Sequence, residues 1–241
     1  MMIFERFNLD ANFYIYMAAA LLPALILLIA VYRKDRVESE PVGLLIKLVV
    51  MGVIAALISI GLESAGETLL DLRLSPGTDV YNIITAFLVV ALAEEGSKYF
   101  LLRLTTWKHP AFNYRFDGIV YAVFVSLGFA AFENVGYVFS YGLETAVMRA
   151  LLSIPGHMSF AVFMGYFYGR AKYHHNRGHK LRSFIASVMA LLSAVLFHGT
   201  YDACLMLGTD EATAFFLVFV ALMFLIVLIM LRKESKTDRA L

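Results

Sequence analysis

Residues 83–104 read "IITAFLVVALAEEGSKYFLLRL". Without Glu94, Glu95 and Lys98 this would be an ordinary membrane span, since about 20 apolar residues cover the roughly 30 Å of hydrocarbon in a bilayer. Ionisable groups in the middle of a span cost about 2.5–3.5 kcal/mol each on insertion scales, so they must face the interior of a bundle and one another. Glu94 and Lys98 stand four residues apart with the acid first, the better order for an ion pair on a helix. The stretch therefore predicts a membrane helix with a polar stripe, surrounded by other helices that answer it.

The remainder of the 241 residues supplies those helices. Apolar residues make up 61% of the chain and charged residues 16%, and a mean hydropathy of +0.75 excludes a water-soluble domain. Apolar stretches lie at about 12–32, 43–62, 81–104, 117–139, 147–170, 182–206 and 212–231, joined by short polar links. The expected fold class is all-α: a polytopic integral membrane bundle of about seven transmembrane helices, one domain over 1–241, in a cell membrane. Sixteen of the 20 basic residues fall after spans 1, 3, 5 and 7 or at Lys47. The opposite face has only Arg6, Arg73 and Arg149, so the positive-inside bias predicts an outside N-terminus and a cytoplasmic C-terminus. Glu5, Arg6 and Asp10 precede the first span in place of a basic leader, and no small-residue cleavage site follows, so a retained helix is expected.

Several function classes drop out. The basic residues are spread over four cytoplasmic segments in the pattern that orients a membrane protein, so no nucleic-acid partner is expected. Cys204 is the one cysteine. It can form no internal disulfide, and inside an apolar span it has no catalytic role.

What remains is the set of polar residues inside the spans: Glu94, Glu95 and Lys98, then Glu133 and Asn134, His157, and His198 and Asp202. His198 and Asp202 are again four apart on one helical face. Counted from the cytoplasmic ends, Glu94 lies about 14 Å deep, His157 about 20 Å, and Glu133 and His198 about 24 Å. The set thus clusters between the midplane and the outer leaflet.

Four motifs in this order, "EEGSK" (94–98), "FAAFEN" (129–134), "PGHMSF" (155–160) and "HGTYD" (198–202), resemble the EExxK, FxxxEN, mid-chain histidine and HxxxD elements of the PrsW intramembrane proteases. That family is distantly related to the CAAX prenyl endopeptidases. The resemblance covers about 85–205 and implies a protease that cuts a single-span membrane protein, in the best-known case an anti-sigma factor, on its extracytoplasmic side. The CAAX relatives carry histidine where this chain has Glu133, so their mechanism does not transfer at that position.

The chemistry of the set suits hydrolysis. A carboxylate beside a lysine and a second carboxylate can act as general base on water, which points to Glu94 or Glu95, with Glu94 preferred. His198 would stabilise the oxyanion or shuttle the proton, with Asp202 fixing its tautomer. Glu133 belongs to the same catalytic set, and Lys98, Asn134 and His157 support it. No cofactor is expected on this reading. The alternatives are a zinc protease, with Glu133, His157 and His198 as ligands and Glu94 as base, and a proton-coupled transporter. The second would show an inverted repeat and broken helices, and neither is evident.

Other features read as structure. His174, His175 and His179 form a solvated basic face. "GYFYG" (165–169) has the spacing for close helix packing, against a neighbouring helix or another subunit. Asp117 is expected to cap the fourth span. The acidic link "ESAGETLLDLRLSPGTDV" (63–80) is expected to be a loop, serving as a lid or docking surface or simply solvated. Oligomeric state is left open.

Overall fold

The computed structural model describes residues 2–35 and 37–241, with residues 2–11 as backbone only. Arg36 and the side chains of Glu5, Arg6 and Asp10, used above to orient the chain, lie outside what is described. Seven helices are long and apolar enough to cross a membrane. They are α1 (Met2–Tyr32), α2 (Val42–Asp71), α3 (Asp79–Thr106), α4 (Asp117–Tyr141), α5 (Leu143–Asn176), α6 (Lys180–Leu207) and α7 (Asp210–Lys236). No strand occurs among the described residues, apart from a single bridge between Tyr114 and Ala240.

Local chemistry sets the boundaries. Thr78 and Thr209 start α3 and α7, their hydroxyls accepting from the N–H of Tyr81 and Ala212. Gly142 (φ 88°) and Gly208 (φ 61°) make the tight turns from α4 to α5 and from α6 to α7, where a side chain would be strained.

Two expectations need correction. Residues 63–71 are not loop, because α2 continues to Asp71 and leaves only 72–78 as the link. No breaker stops the helix there, and Gly66 lies against the Val89 side chain of α3. Asp117 does not cap its own helix. Its carboxylate reaches back to accept from the N–H of Asn113 (3.0 Å) and Tyr114 (2.7 Å) in the preceding loop.

The core sits around α4, whose most apolar window is 78% buried against 17% for α1 and 28% for α7. Glycines let its neighbours approach. A Cβ at Gly128 would meet the Val49 backbone of α2, and one at Gly118 would meet the backbone of Gly165 and Gly169 on α5. The small-residue spacing of "GYFYG" is therefore spent inside the bundle, against α4. Helices α5 and α6 pack closely along their length, and α6 lies on α3 where Gly199 faces the Phe87 ring.

Candidate active site

Two of the helices that carry the motifs lose regular α geometry just before them. Thr85–Ala91 of α3 and Arg149–Ser153 of α5 are π-helical, immediately ahead of Glu94 and His157. Such segments change the face on which the following residues emerge and often mark functional positions. Here both precede polar side chains that lie in the interior: Glu94, Glu95, Lys98 and His157 are all buried, as is His198 on α6.

The polar side chains expected to meet do meet. The Lys98 ammonium donates to Glu94 Oε2 (2.9 Å) and Glu95 Oε1 (2.7 Å), lies 3.3 Å from His157 Nδ1, and sits 3.8 Å above the Phe129 ring. An ammonium can only donate, so His157 Nδ1 accepts and its Nε2 carries the hydrogen. That Nε2 is 3.1 Å from Glu133 Oε2 and donates to it. His198 joins from α6, with Nδ1 at 3.0 Å from Glu95 Oε1 and Nε2 at 3.2 Å from Asp202 Oδ2. Its ring is stacked on Phe160, centroid to centroid 4.7 Å, which fixes its plane. A continuous chain therefore runs Asp202, His198, Glu95, Lys98, His157, Glu133. The spread in depth of about 10 Å from ideal helix counting does not keep these groups apart.

One member was not expected. Arg149, read from the sequence as an outer-face basic residue, donates through Nη2 to Glu133 Oε2 (2.7 Å) and through Nε to Asn134 Oδ1 (2.9 Å). It also lies over the Tyr137 ring. Its signal in the sequence was position, an arginine already inside an apolar span and two turns ahead of His157. Asn134 joins the network through Arg149, and its own amide donates to Ala20 O on α1 (2.7 Å).

A cavity of about 500 Å³ opens onto this network between α2 and α4. Glu94 and Glu133 line it, with Ser59 and Glu63 of α2 and the rings of Phe129 and Tyr137. Glu95, His157 and His198 stand behind that wall, and both nitrogens of His198 are already engaged. A larger cavity of about 690 Å³ between α3 and α6 contains none of these residues.

Residues 40–230 match the family model of the PrsW family intramembrane metalloprotease. The chain belongs to the PrsW family of intramembrane proteases. It is 33% identical over 221 residues to Protease PrsW of Oceanobacillus iheyensis, covering 91% of this chain and 96% of that one. It is 35% identical over 218 residues to Protease PrsW of Clostridioides difficile, with 89% of each chain covered. To that of Bacillus subtilis it is 30% identical over 185 residues, 77% of this chain and 80% of that one. No solved structure matches. As a PrsW protein with seven spans, the chain is a multi-pass membrane endopeptidase.

A metalloprotease of this family would hold its ion on carboxylates and histidines of such a network. Among the described residues, the site atoms that converge are those of Glu94, Glu95 and His157, one from each within 4.8 Å of the others, rather than Glu133, His157 and His198. Carboxylate and imidazole suit zinc, which would stand about 2.0–2.2 Å from each. The Lys98 ammonium, however, is hydrogen-bonded to the same three groups. As arranged, the cation position of this PrsW site is filled by Lys98, and the residues do not fit a metal.

Proposed function

We propose that this PrsW protease hydrolyses its substrate with a water activated by Glu94. The observation that carries the reading is that Glu94 and Glu133 are the carboxylates of the network that face the cavity, while Lys98 holds Glu94 from behind. Glu94 takes a proton from water as the hydroxide attacks the peptide carbonyl. Once protonated, Glu94 holds the ammonium less strongly, and a Lys98 N–H turns toward the new oxyanion. When the C–N bond breaks, Glu94 returns its proton to the leaving amine. Glu133, held by Arg149 and His157, accepts from the second water hydrogen or the peptide N–H. His198, with Asp202 behind it, holds Glu95 in place as the second partner of Lys98, a positioning role rather than contact with the substrate.

The proposed substrate is a single-span membrane protein of the anti-sigma-factor kind, cut near its extracytoplasmic juxtamembrane segment. Glu133 lies about 12 Å along α4 from Tyr141 and about 24 Å from Asp117. The site is therefore nearer the end of the bundle that is poor in basic residues, which the positive-inside bias turns outward. A substrate would need to unwind only the peptide beside its span to enter between α2 and α4. Purified enzyme, chelated exhaustively and given such a substrate, should release a product whose termini, mapped by mass spectrometry, lie on the extracytoplasmic side. Activity lost to chelator and restored by zinc would overturn the water-glutamate mechanism, and a cytoplasmic cut would overturn the orientation.

A further inference from the structure

The larger cavity between α3 and α6 plays no part in that chemistry, yet it is not featureless. One end of its lining is apolar, with Leu92 of α3 and Phe184, Val188 and Leu192 of α6. The other end gathers Arg103, Trp107, His175 and Lys180. From Leu88 to Arg103 the groove follows α3 for about 22 Å, more than the roughly 15 Å hydrocarbon depth of one leaflet. The polar end looks like a place for an anion. Arg103 lies over Trp107 at 3.9 Å, which in turn is 5.4 Å from the His175 ring, and the cationic Lys180 begins α6. No side chain caps that helix start. Arg103 Nη1 is buried with no hydrogen-bond partner among the described residues. A buried guanidinium N–H without an acceptor is rare enough to ask what supplies one.

We propose that this groove is a binding site for one anionic phospholipid, its phosphate on Arg103 and Lys180 and an acyl chain along Leu92, Val188 and Leu192. Basic pockets between transmembrane helices recognise anionic headgroups through charge, and Trp107 places its ring at the level where headgroups lie. A zwitterionic lipid would fill the apolar end equally well but would leave two cations facing a neutral headgroup. The charge therefore selects among lipids that the groove's shape admits alike. The inference does not depend on which residue activates water.

The test is to offer the detergent-purified protein equal amounts of phosphatidylglycerol and phosphatidylcholine with matched acyl chains, and to count retained lipid by native mass spectrometry. One phosphatidylglycerol should be kept, favoured about tenfold or more. Arg103→Gln and Lys180→Gln should each lower that preference by about fivefold, the share of one basic residue beside a headgroup. Leu192→Trp, which fills the apolar end and leaves the charges in place, should release lipid of either kind, and Val188→Phe makes the same test if the first variant does not fold. Equal retention of the two lipids, an unchanged preference in the Arg103→Gln, Lys180→Gln double variant, or a groove that keeps a transmembrane peptide and no lipid would overturn the proposal.

Discussion

The bundle buries two groups of carboxylates and treats them in opposite ways. Glu94, Glu95 and Glu133 are each matched by cations or histidines: Lys98 for the first two, His198 for Glu95, Arg149 and His157 for Glu133. Asp35, Glu40 and Asp117 also bring carboxylate oxygens within 4.8 Å of one another, yet none of them is in an ion pair among the described residues. Neutral donors answer them instead, the Tyr121 hydroxyl on Glu40 at 2.5 Å and two backbone N–H groups on Asp117. In the link between α1 and α2, burial pushes Asp35 up to about 6 and Glu40 up to about 7, with Asp238 and Glu38 pushing Asp35 further the same way. A group of acids with cations beside it can keep its charge in the dark and use it. A group without them holds its protons to higher pH than isolated carboxyls do.

The comparison breaks most visibly at Glu94. Glu94→Gln keeps an oxygen for Lys98 but cannot take a proton, so formation of the truncated product should fall by about 10²–10⁴-fold while the protein stays folded. A folded Glu94→Gln with normal turnover would remove the general base. Glu95→Gln should lose activity as well, but for a different reason. Glu95 is fully buried between Lys98 and His198, so the variant should also lose stability, by up to the 3–5 kcal/mol or so of a broken buried pair. Lys98→Met strips the cation from two carboxylates at once and should lower the melting temperature at least as much. The matching change in the other cluster, Glu40→Gln, should leave proteolysis unchanged.

How much of this could be read in advance differs between the clusters, for a physical reason. Glu94, Glu95, Lys98, Glu133, His157, His198 and Asp202 stand out because charge inside an apolar span has so few explanations. Seven spans were legible from the same contrast. Arg149 was not, because near the end of a span an arginine reads as an anchor for orientation, and its turn inward depends on the π-helical segment that begins with it. The end of α2 was missed because Glu63, Glu67 and Asp71 look like a polar link, although nothing in them breaks a helix. The second cluster was invisible, since Asp35 and Glu40 lie in what reads as a short solvated loop. Contacts distant in sequence close that end of the bundle, among them Arg115 N on Arg239 O and Leu241 N on Asn113 O.

A finer test of the charged cluster is Arg149→Gln. Glu133 would keep His157 but lose its strongest donor, and a hydrogen bond to a charged group is worth about 1.5–3 kcal/mol. Turnover should therefore drop by about 10- to 100-fold, with a smaller effect than at Glu94. If Arg149 serves only as a membrane anchor, turnover will not move.

The smallest effect belongs to the cluster without cations and concerns pH. Asp35 and Glu40 titrate near their ordinary values of 3.8 and 4.5 when unfolded, but near 6 and 7 in the bundle, facing Glu38, Asp117, Tyr121 and Asp238. Between about pH 4 and 7 the folded protein thus binds more protons than the unfolded chain, so stability falls as pH rises and is lost fully only above the folded values. Both groups are partly screened by solvent in the link, which keeps the effect modest. The melting temperature should decline by on the order of 2–4 °C from pH 5 to pH 8. Glu40→Gln, neutral at every pH, should flatten much of that slope, whereas Glu94→Gln should not touch it. A wild-type melting temperature that instead climbs across this range would mean that a cation lies against the second cluster, and a slope that survives Glu40→Gln and Asp35→Asn together would mean that other groups set it.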